Sequence, residues 1–429
     1  MKFWILISSI SVLAAGSLFF LFLPKRFIQI ENKFTPSKTL TNQRAVLPPD
    51  TDLQKQLLDP PKVIKAVYLT SWSAGSESKI SQVISFAQAG KINAVVIDIK
   101  DFSGRVAYNT LVQEAEEYGA EELRIPRVNT LIKQLHDKNI YVIARQVVFQ
   151  DQVLAKARSE LAVKSIKLSQ SSTASDDIWR DFKGLAWIDP AASESWDYNI
   201  KIARDAWDRG FDEINFDYIR FPTDGDLLDR KFPVWDGKKL MRLVMKDFYK
   251  EIRKQMPDAR ISIDLFGLAA TSFYDFGVGQ MIEDTFEYFD FVSPMLYPSH
   301  FPKTFLNPTS GEPKNIAEYP YDVVRQSMDT ALLRLSNSQT SASLRPWLQD
   351  FDLGADYDAE KVRVQIQAVI DSFGGEENEQ YRGFMLWNPA MRAKAVLENT
   401  ARWPRNTAMP WIEPSTSDRK RRSLAANSS

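Results

Sequence analysis

The sequence predicts an α/β protein: a (β/α)8 TIM barrel behind an N-terminal membrane segment and a tether. Three observations lead there. Eight strand-like runs are each followed by a helix-like run over roughly 340 residues, the pattern of a parallel barrel with insertions. The first strand runs into Thr70-Ser71-Trp72-Ser73-Ala74-Gly75. It lacks the G-x-G-x-x-G phosphate loop usual in the competing fold, an open doubly wound sheet. Acids, amides and aromatics recur where the strands end, which is where barrel sites are built.

The elements follow in order. The first strand is 64–71, and Ile80, Val83, Ile84 and Ala87 mark its helix, closed by Gly90. The second is 93–100, with Val128, Leu131, Ile132 and Leu135 on one helical face. The third is 140–149, followed by a helix near 153–163, a Ser-rich loop at 169–175 and a short extended piece at 185–188. Trp196, Ile200, Ala203 and Trp207 give the helix before the fourth strand, 212–221. Met241, Val244, Phe248 and Ile252 precede the fifth strand, 260–266, and Met281, Ile282 and Phe286 precede the sixth, 289–297. Val324, Met328, Ala331 and Leu335 lead to the seventh, 344–349. Val362, Ile366, Val369 and Phe373 lead to the eighth, 383–387, with a last short helix at 391–397. Each helical set repeats every three or four residues, the spacing that puts apolar groups on one face.

Outside the barrel, Phe3 to Leu23 is an uncharged apolar run flanked by Lys2 and by Lys25 and Arg26. It approaches the about 20 residues a membrane helix needs and exceeds the usual core of a signal peptide. Residues 1–26 are therefore read as a signal anchor in preference to a cleaved signal peptide. The expected location is membrane-anchored and extracytoplasmic, or secreted if the segment is cleaved. Residues 27–61 are polar and carry five prolines, the composition of a flexible linker. The barrel is assigned to 62–404, and 405–429, with Arg419-Lys420-Arg421-Arg422, to a disordered tail.

Composition narrows the chemistry. Lys+Arg 54 against Asp+Glu 55 gives no electrostatic case for nucleic acid as a partner. The absence of Cys excludes disulfides, thiolate zinc sites and cysteine nucleophiles. His136 and His300 are the only histidines, too few for a His-rich metal site. His136 reads as a helix residue and His300 as a loop residue. No cofactor and no metal is expected.

The fourth strand is the most informative stretch. Alternation puts Ile214, Phe216 and Tyr218 on one face and Glu213, Asn215 and Asp217 on the other. Burying a carboxylate is costly unless it is hydrogen-bonded or functional. Asp217 lies near the strand's C-terminal end and is the leading catalytic candidate; the bland reading is a buried Asp that organises the following turn. The other strand ends offer Trp72, Asp98, Lys100, Arg145, Arg220, Asp264, Tyr297, Asp350, Trp387 and Asn388. Asp98 and Lys100 are placed on one face by spacing. Such a set suits sugars: two carboxyls work across a glycosidic bond, and flat rings stack on sugar C–H surfaces.

The stretches Lys65-Ala66-Val67-Tyr68-Leu69-Thr70, Ala94 to Asp101, Gly210 to Pro222 and Ser293-Pro294-Met295-Leu296-Tyr297-Pro298 resemble a family of bacterial glycoside hydrolase-like domains. Trp187-Ile188-Asp189-Pro190 and Gly383 to Pro389 are similar to it as well, and the resemblance spans about 62–403. It implies a TIM barrel, often exported or membrane-attached. It also implies that Asp217 is the strand-four acid of related barrel hydrolases, a nucleophile or base. It does not identify the second carboxylate.

The first reading is thus a glycoside hydrolase acting on a cell-envelope or extracellular polysaccharide by a two-carboxylate mechanism. Asp217 is nucleophile or base and Asp264 the general acid, with Asp350, Asp98 and Asp101 in reserve. Trp72, Tyr297 and Trp387 are sugar platforms. The carboxylate nearest Arg145, Arg220 and Lys100 should be the base. The second reading is a catalytically inactive carbohydrate-binding barrel tethered at the membrane. A second carboxyl within roughly 5–9.5 Å of Asp217 discriminates the two. A third reading is a metal-dependent hydrolase built on Asp98, Asp101, Asp217 and Asp264.

Overall fold

The computed structural model describes residues 48–171, 176–306 and 315–390. Eight strands close into a parallel ring: β1 (Ile64–Leu69), β2 (Ala94–Lys100), β3 (Tyr141–Val147), β4 (Glu213–Asp217), β5 (Ile261–Phe266), β6 (Phe291–Leu296), β7 (Ser343–Leu344, continued by Trp347–Gln349) and β8 (Gly383–Trp387). Neighbours pair in chain order, and β8 returns to pair with β1. Closure leaves the barrel sheet without an edge strand. The principal helices between strands are α1 (Glu77–Gln88), α2 (Val128–His136), α3 (Ser193–Asp208), α4 (Met241–Gln255), α5 (Ile282–Thr285), α6 (Pro320–Ser336) and α7 (Ala359–Ser372). Repeated strand–helix units with both layers buried are what the alternating pattern predicts.

Two faces of each strand serve two cores. Outward residues such as Val95, Ile97, Ile214 and Ile263 pack under the helices. Inward residues Ile64, Ala66, Tyr68, Val96, Ile143 and Trp347 fill the barrel. Its floor holds a fully buried ion pair of Glu213 with Arg345, and Tyr141 donates its hydroxyl to Glu213 Oε2 at 3.1 Å.

Several strands are shorter than the pattern suggests. β4 stops at Asp217 instead of continuing to Phe221. Tyr218 adopts a left-handed backbone (φ 51°), and its N–H turns back to Asp217 Oδ1 at 2.6 Å. β7 breaks at Arg345–Pro346, because proline has no N–H for the ladder. The helix expected near 153–163 is a short helix, Gln152–Ala157, followed by a 3-10 turn, Ser159–Leu161. The Leu185–Ile188 piece forms isolated bridges to Gln150, Ala162 and Arg180.

Within the segment read as a linker, residues 50–57 lie against the barrel. Asp50 caps α2 by accepting from Asn129 N (3.0 Å) and Thr130 N (2.8 Å). Leu57 N donates to Asp212 Oδ1 at 2.7 Å, and its side chain packs on the inner cluster. The proposed anchor at 1–26, the linker up to 47, the helix at 391–397 and the tail at 405–429 lie outside the described residues. Among the described residues no helix is long and apolar enough to cross a membrane.

Candidate active site

Arg145 is the centre of the barrel mouth. It projects inward from β3, because Ile143, two residues earlier, shares that face. Its NH1 donates to Asp98 Oδ1 on β2 at 2.5 Å. Its Nε donates to Asp217 Oδ2 on β4 at 3.2 Å, and NH2 donates to the same oxygen. Nε also lies 3.8 Å from Asp264 Oδ2 on β5. One guanidinium therefore ties three acids from three neighbouring strands.

That shared nitrogen bounds the acid pair. Oxygens 3.2 and 3.8 Å from one nitrogen are at most about 7 Å apart, below the upper limit of roughly 9.5 Å for glycosidase carboxyl pairs.

The pair is electrostatically unequal. Asp217 Oδ2 takes two guanidinium hydrogen bonds and Oδ1 takes the Tyr218 amide, an acceptor pattern suited to the anion. Asp264 is 1% exposed. Burial first, then the Asp217 charge, push its carboxyl well above the usual range, against the opposing pull of Arg145. Its Oδ1 accepts from Trp347 Nε1 at 2.8 Å and from Asn215 Nδ2 at 2.9 Å, leaving Oδ2 facing Arg145. Asp98 is also raised by burial, opposed by Arg145 and by the Tyr68 hydroxyl, which donates at 2.5 Å.

Aromatic rings wall this cluster. Tyr68 and Trp387 stack with centroids 4.0 Å apart, and Trp347 meets Trp387 edge-on at 5.5 Å. The Arg145 guanidinium lies 4.9 Å from the Trp387 ring centre. Trp72 is 62% exposed on the short helix after β1, with Arg124 at 5.2 Å from its ring. Asp350 sits at the end of β7, and its carboxylate accepts from Asn388 Nδ2 at 3.2 Å. Burial pushes it up to about 7.

Four expectations need correction. Lys100 does not share a face with Asp98. The β2–β3 register shifts between them, so Lys100 pairs with Gln146 and points outward to Asp151 (2.7 Å), fully buried. It is a staple between β2 and the β3 loop, away from the mouth. Arg220 is likewise used internally. It donates to Asp224 (2.9 Å) and the Phe221 carbonyl (3.1 Å), between the rings of Trp187 and Phe266. Tyr297 is 7% exposed and meets His300 and Phe351 edge to face, which leaves no open ring surface for a sugar. The four-acid metal reading also fails on geometry. Asp101 turns away to Arg124, and Arg145 occupies the space among the other three. Among the described residues no group of three or more His, Asp or Glu side chains is placed to hold a metal.

Tyr68 is the residue that strand spacing missed as part of the site. Its signal was parity: Tyr68 shares the inward face with Ala66, and the neighbouring strand brings Asp98 to its hydroxyl. Trp347 stands at a strand end whose inward direction becomes clear only once β7 is seen to break at Pro346. His136 Nε2 lies 2.9 Å from Asp212 Oδ2 beneath the barrel. Burial, then the charge of Lys183, lowers His300 below its ordinary value.

Comparison with known proteins gives the family and the fold. A family model described as "Putative glycosyl hydrolase domain" matches residues 66–393. A crystal structure titled as a hypothetical protein from Ruminiclostridium thermocellum ATCC 27405 is 38% identical. It covers 46% of this chain and 96% of its own, with a TM-score of 0.42. The PgaB (BpsB) glycoside hydrolase domain from Bordetella bronchiseptica aligns with a TM-score of 0.53 at 13% identity, over 78% of this chain and 98% of that one. At that identity the likeness is one of fold. The endo-1,4-beta-mannanase from Rhizomucor miehei aligns at 11% identity and a TM-score of 0.46, over 79% and 90%. No curated protein matches the chain.

Proposed function

Because the chain belongs to the family of glycosyl hydrolase domains matched over residues 66–393, we propose that it cleaves glycosidic bonds of a cell-envelope or extracellular polysaccharide with two carboxyl groups. The observation that carries this reading is the Asp217–Asp264 pair, two acids from neighbouring strands held on one Arg145 nitrogen with oxygens no more than about 7 Å apart. Asp264 is the general acid, kept protonated by burial and by its neighbour's charge. Asp217 is the nucleophile, or the base that activates water on the opposite face of the sugar. The positive charge growing on the sugar ring is offset by the carboxylates beneath it.

Both acids sit low in the mouth, 4% and 1% exposed. A polymer cannot meet them without the surrounding side chains moving, so substrate binding opens the site. Trp387, partly exposed beside Arg145, and the exposed Trp72 are the sugar-stacking rings of this reading. Asp350 and Asn388 extend the polar rim. A binding-only barrel is the less favoured reading, since binding alone gives no reason to hold a raised carboxyl beside a second acid.

We also place the domain outside the cytoplasm, anchored through residues 1–26, on the strength of the apolar run from Phe3 to Leu23. Protease shaving of intact cells tests this: digestion supports export and complete protection refutes it.

The chemistry is tested with Asp217→Asn and Asp264→Asn, assayed by product release from wall and capsular glycans. Each substitution is expected to lower turnover by about 10²–10⁴-fold. Native turnover in both variants overturns the assignment.

A further inference from the structure

Asp98 faces Arg145 across the β2–β3 ladder, and the register shifts immediately after it, between Asp98 and Lys100. It is the last residue of β2 in regular register with β3. Irregularities of this kind gather beside active sites, where they re-aim side chains. Both oxygens of its carboxylate are engaged. Oδ1 accepts from Arg145 NH1 at 2.5 Å, and Oδ2 accepts from the Tyr68 hydroxyl at 2.5 Å. At 3% exposure the group is turned to protein partners and away from the open mouth.

Tyr68 is itself held. Its ring stacks on Trp387 at 4.0 Å and meets Trp347 edge-on at 6.4 Å. A chain of hydrogen bonds therefore runs from Tyr68 through Asp98 and Arg145 to Asp217. A guanidinium is a rigid planar fork. Pinning NH1 on Asp98 fixes the plane in which Nε and NH2 meet Asp217 and in which Nε approaches Asp264 at 3.8 Å. Without that pin the fork is free to turn about its own side-chain bonds, and the carboxylate it holds turns with it.

We propose that Asp98 is a positioning residue: steadied by the Tyr68 hydroxyl, it holds Arg145 in the orientation that aligns Asp217 with Asp264, and it contacts no substrate itself. The role rests on the reading of Asp217 and Asp264 as the reacting pair. Misplacing a reacting group by about 1 Å costs on the order of 100-fold in rate. Loss of the pin therefore lowers kcat and leaves KM near native, whereas loss of a sugar contact raises KM.

The first arm of the test needs no substrate. The Nε–H of Arg145 gives an NMR signal, identified by its loss in Arg145→Lys, and its hydrogen exchange is timed in the full-length protein. Asp98→Ala is expected to speed that exchange by about 10–100-fold, through the loss of a charged hydrogen bond. Asp98→Asn keeps an oxygen for NH1 and Tyr68→Phe keeps the carboxylate, so each is expected to speed it only about 2–10-fold. The indole N–H of Trp347, bonded to Asp264, is the internal control and keeps its native rate when only Arg145 is released. An unchanged Arg145 signal in the folded variants overturns the proposal, and so does equal acceleration of both signals. The second arm is turnover on wall and capsular glycans, where Asp98→Asn is expected to lower kcat about tenfold with KM near native. A raised KM with native kcat makes Asp98 a sugar contact and refutes the positioning role. Failure of the parent reading looks different: Asp217→Asn and Asp264→Asn keep turnover while the Arg145 signal still responds to Asp98. That result leaves the pin in place and overturns its catalytic role.

Discussion

Trp347 reaches from β7 past β6 to donate its indole N–H to Asp264 of β5 at 2.8 Å. The contact fixes which oxygen of the acid is occupied and which faces Arg145. A carboxyl acting as the proposed general acid, which gives up its proton in one direction, is served by this kind of external restraint.

Arg145 is the structural counterpart of that restraint, and its loss should be felt first as instability. Arg145→Lys keeps the charge but cannot donate to Asp98 and Asp217 at once while approaching Asp264. Urea denaturation is expected to show a loss of about 3–5 kcal/mol, the cost of leaving buried carboxylates unpaired. Adding Asp98→Asn to Arg145→Lys should recover part of it.

Glu213 lies on the same inward face of β4 as Asp217, yet the two should separate by experiment. Glu213 is fully buried against Arg345 and Tyr141 at the floor. Glu213→Gln is expected to destabilise the fold by about 3 kcal/mol, since one partner of a buried pair remains charged. Below the denaturation midpoint the variant should keep native turnover. A turnover loss as large as that of Asp217→Asn would give Glu213 a chemical role.

Asp350 makes stability depend on pH. Its folded value is pushed up to about 7 by burial, above its unfolded value near 4. The native state therefore holds a proton that the unfolded chain releases between these limits. The associated stability is present at low pH and is lost as pH rises through about 7. Asp350→Asn should flatten this part of the profile and be more stable than native at pH 8 by roughly 1–3 kcal/mol. Thermal unfolding across pH 4–8 measures it.

Trp72 should behave in the opposite way. At 62% exposure it contributes little to packing, so Trp72→Ala is expected to change stability by no more than about 0.5 kcal/mol. Once a cleaved glycan is in hand, the same change should raise KM several-fold with little effect on kcat. An unchanged KM would remove Trp72 from the substrate path.

Much of this was legible because strand parity and strand ends are local properties. The inward set Glu213, Asn215 and Asp217 follows from alternation alone, and the structure places all three inside. Parity failed at Lys100 because one register shift in β2 reverses every residue after it, and no composition signal marks it. Arg220 misled for a related reason. The chain leaves the strand at Tyr218, so positions counted beyond Asp217 no longer face the mouth. The meeting of Tyr68 with Asp98 and of Trp347 with Asp264 depends on barrel closure, which brings together residues 30 and 83 positions apart.

The left-handed turn at Tyr218 carries a practical lesson for judging relatives of this chain. It is a single-residue pivot that aims the lone pairs of Asp217. A β-branched residue there, such as Val, resists that conformation and would rotate the acid out of line while leaving both carboxyls in the sequence. If Asp217 acts as proposed, a homologue can be silenced one residue downstream of an intact motif, and inspecting its acids alone would miscount it as active.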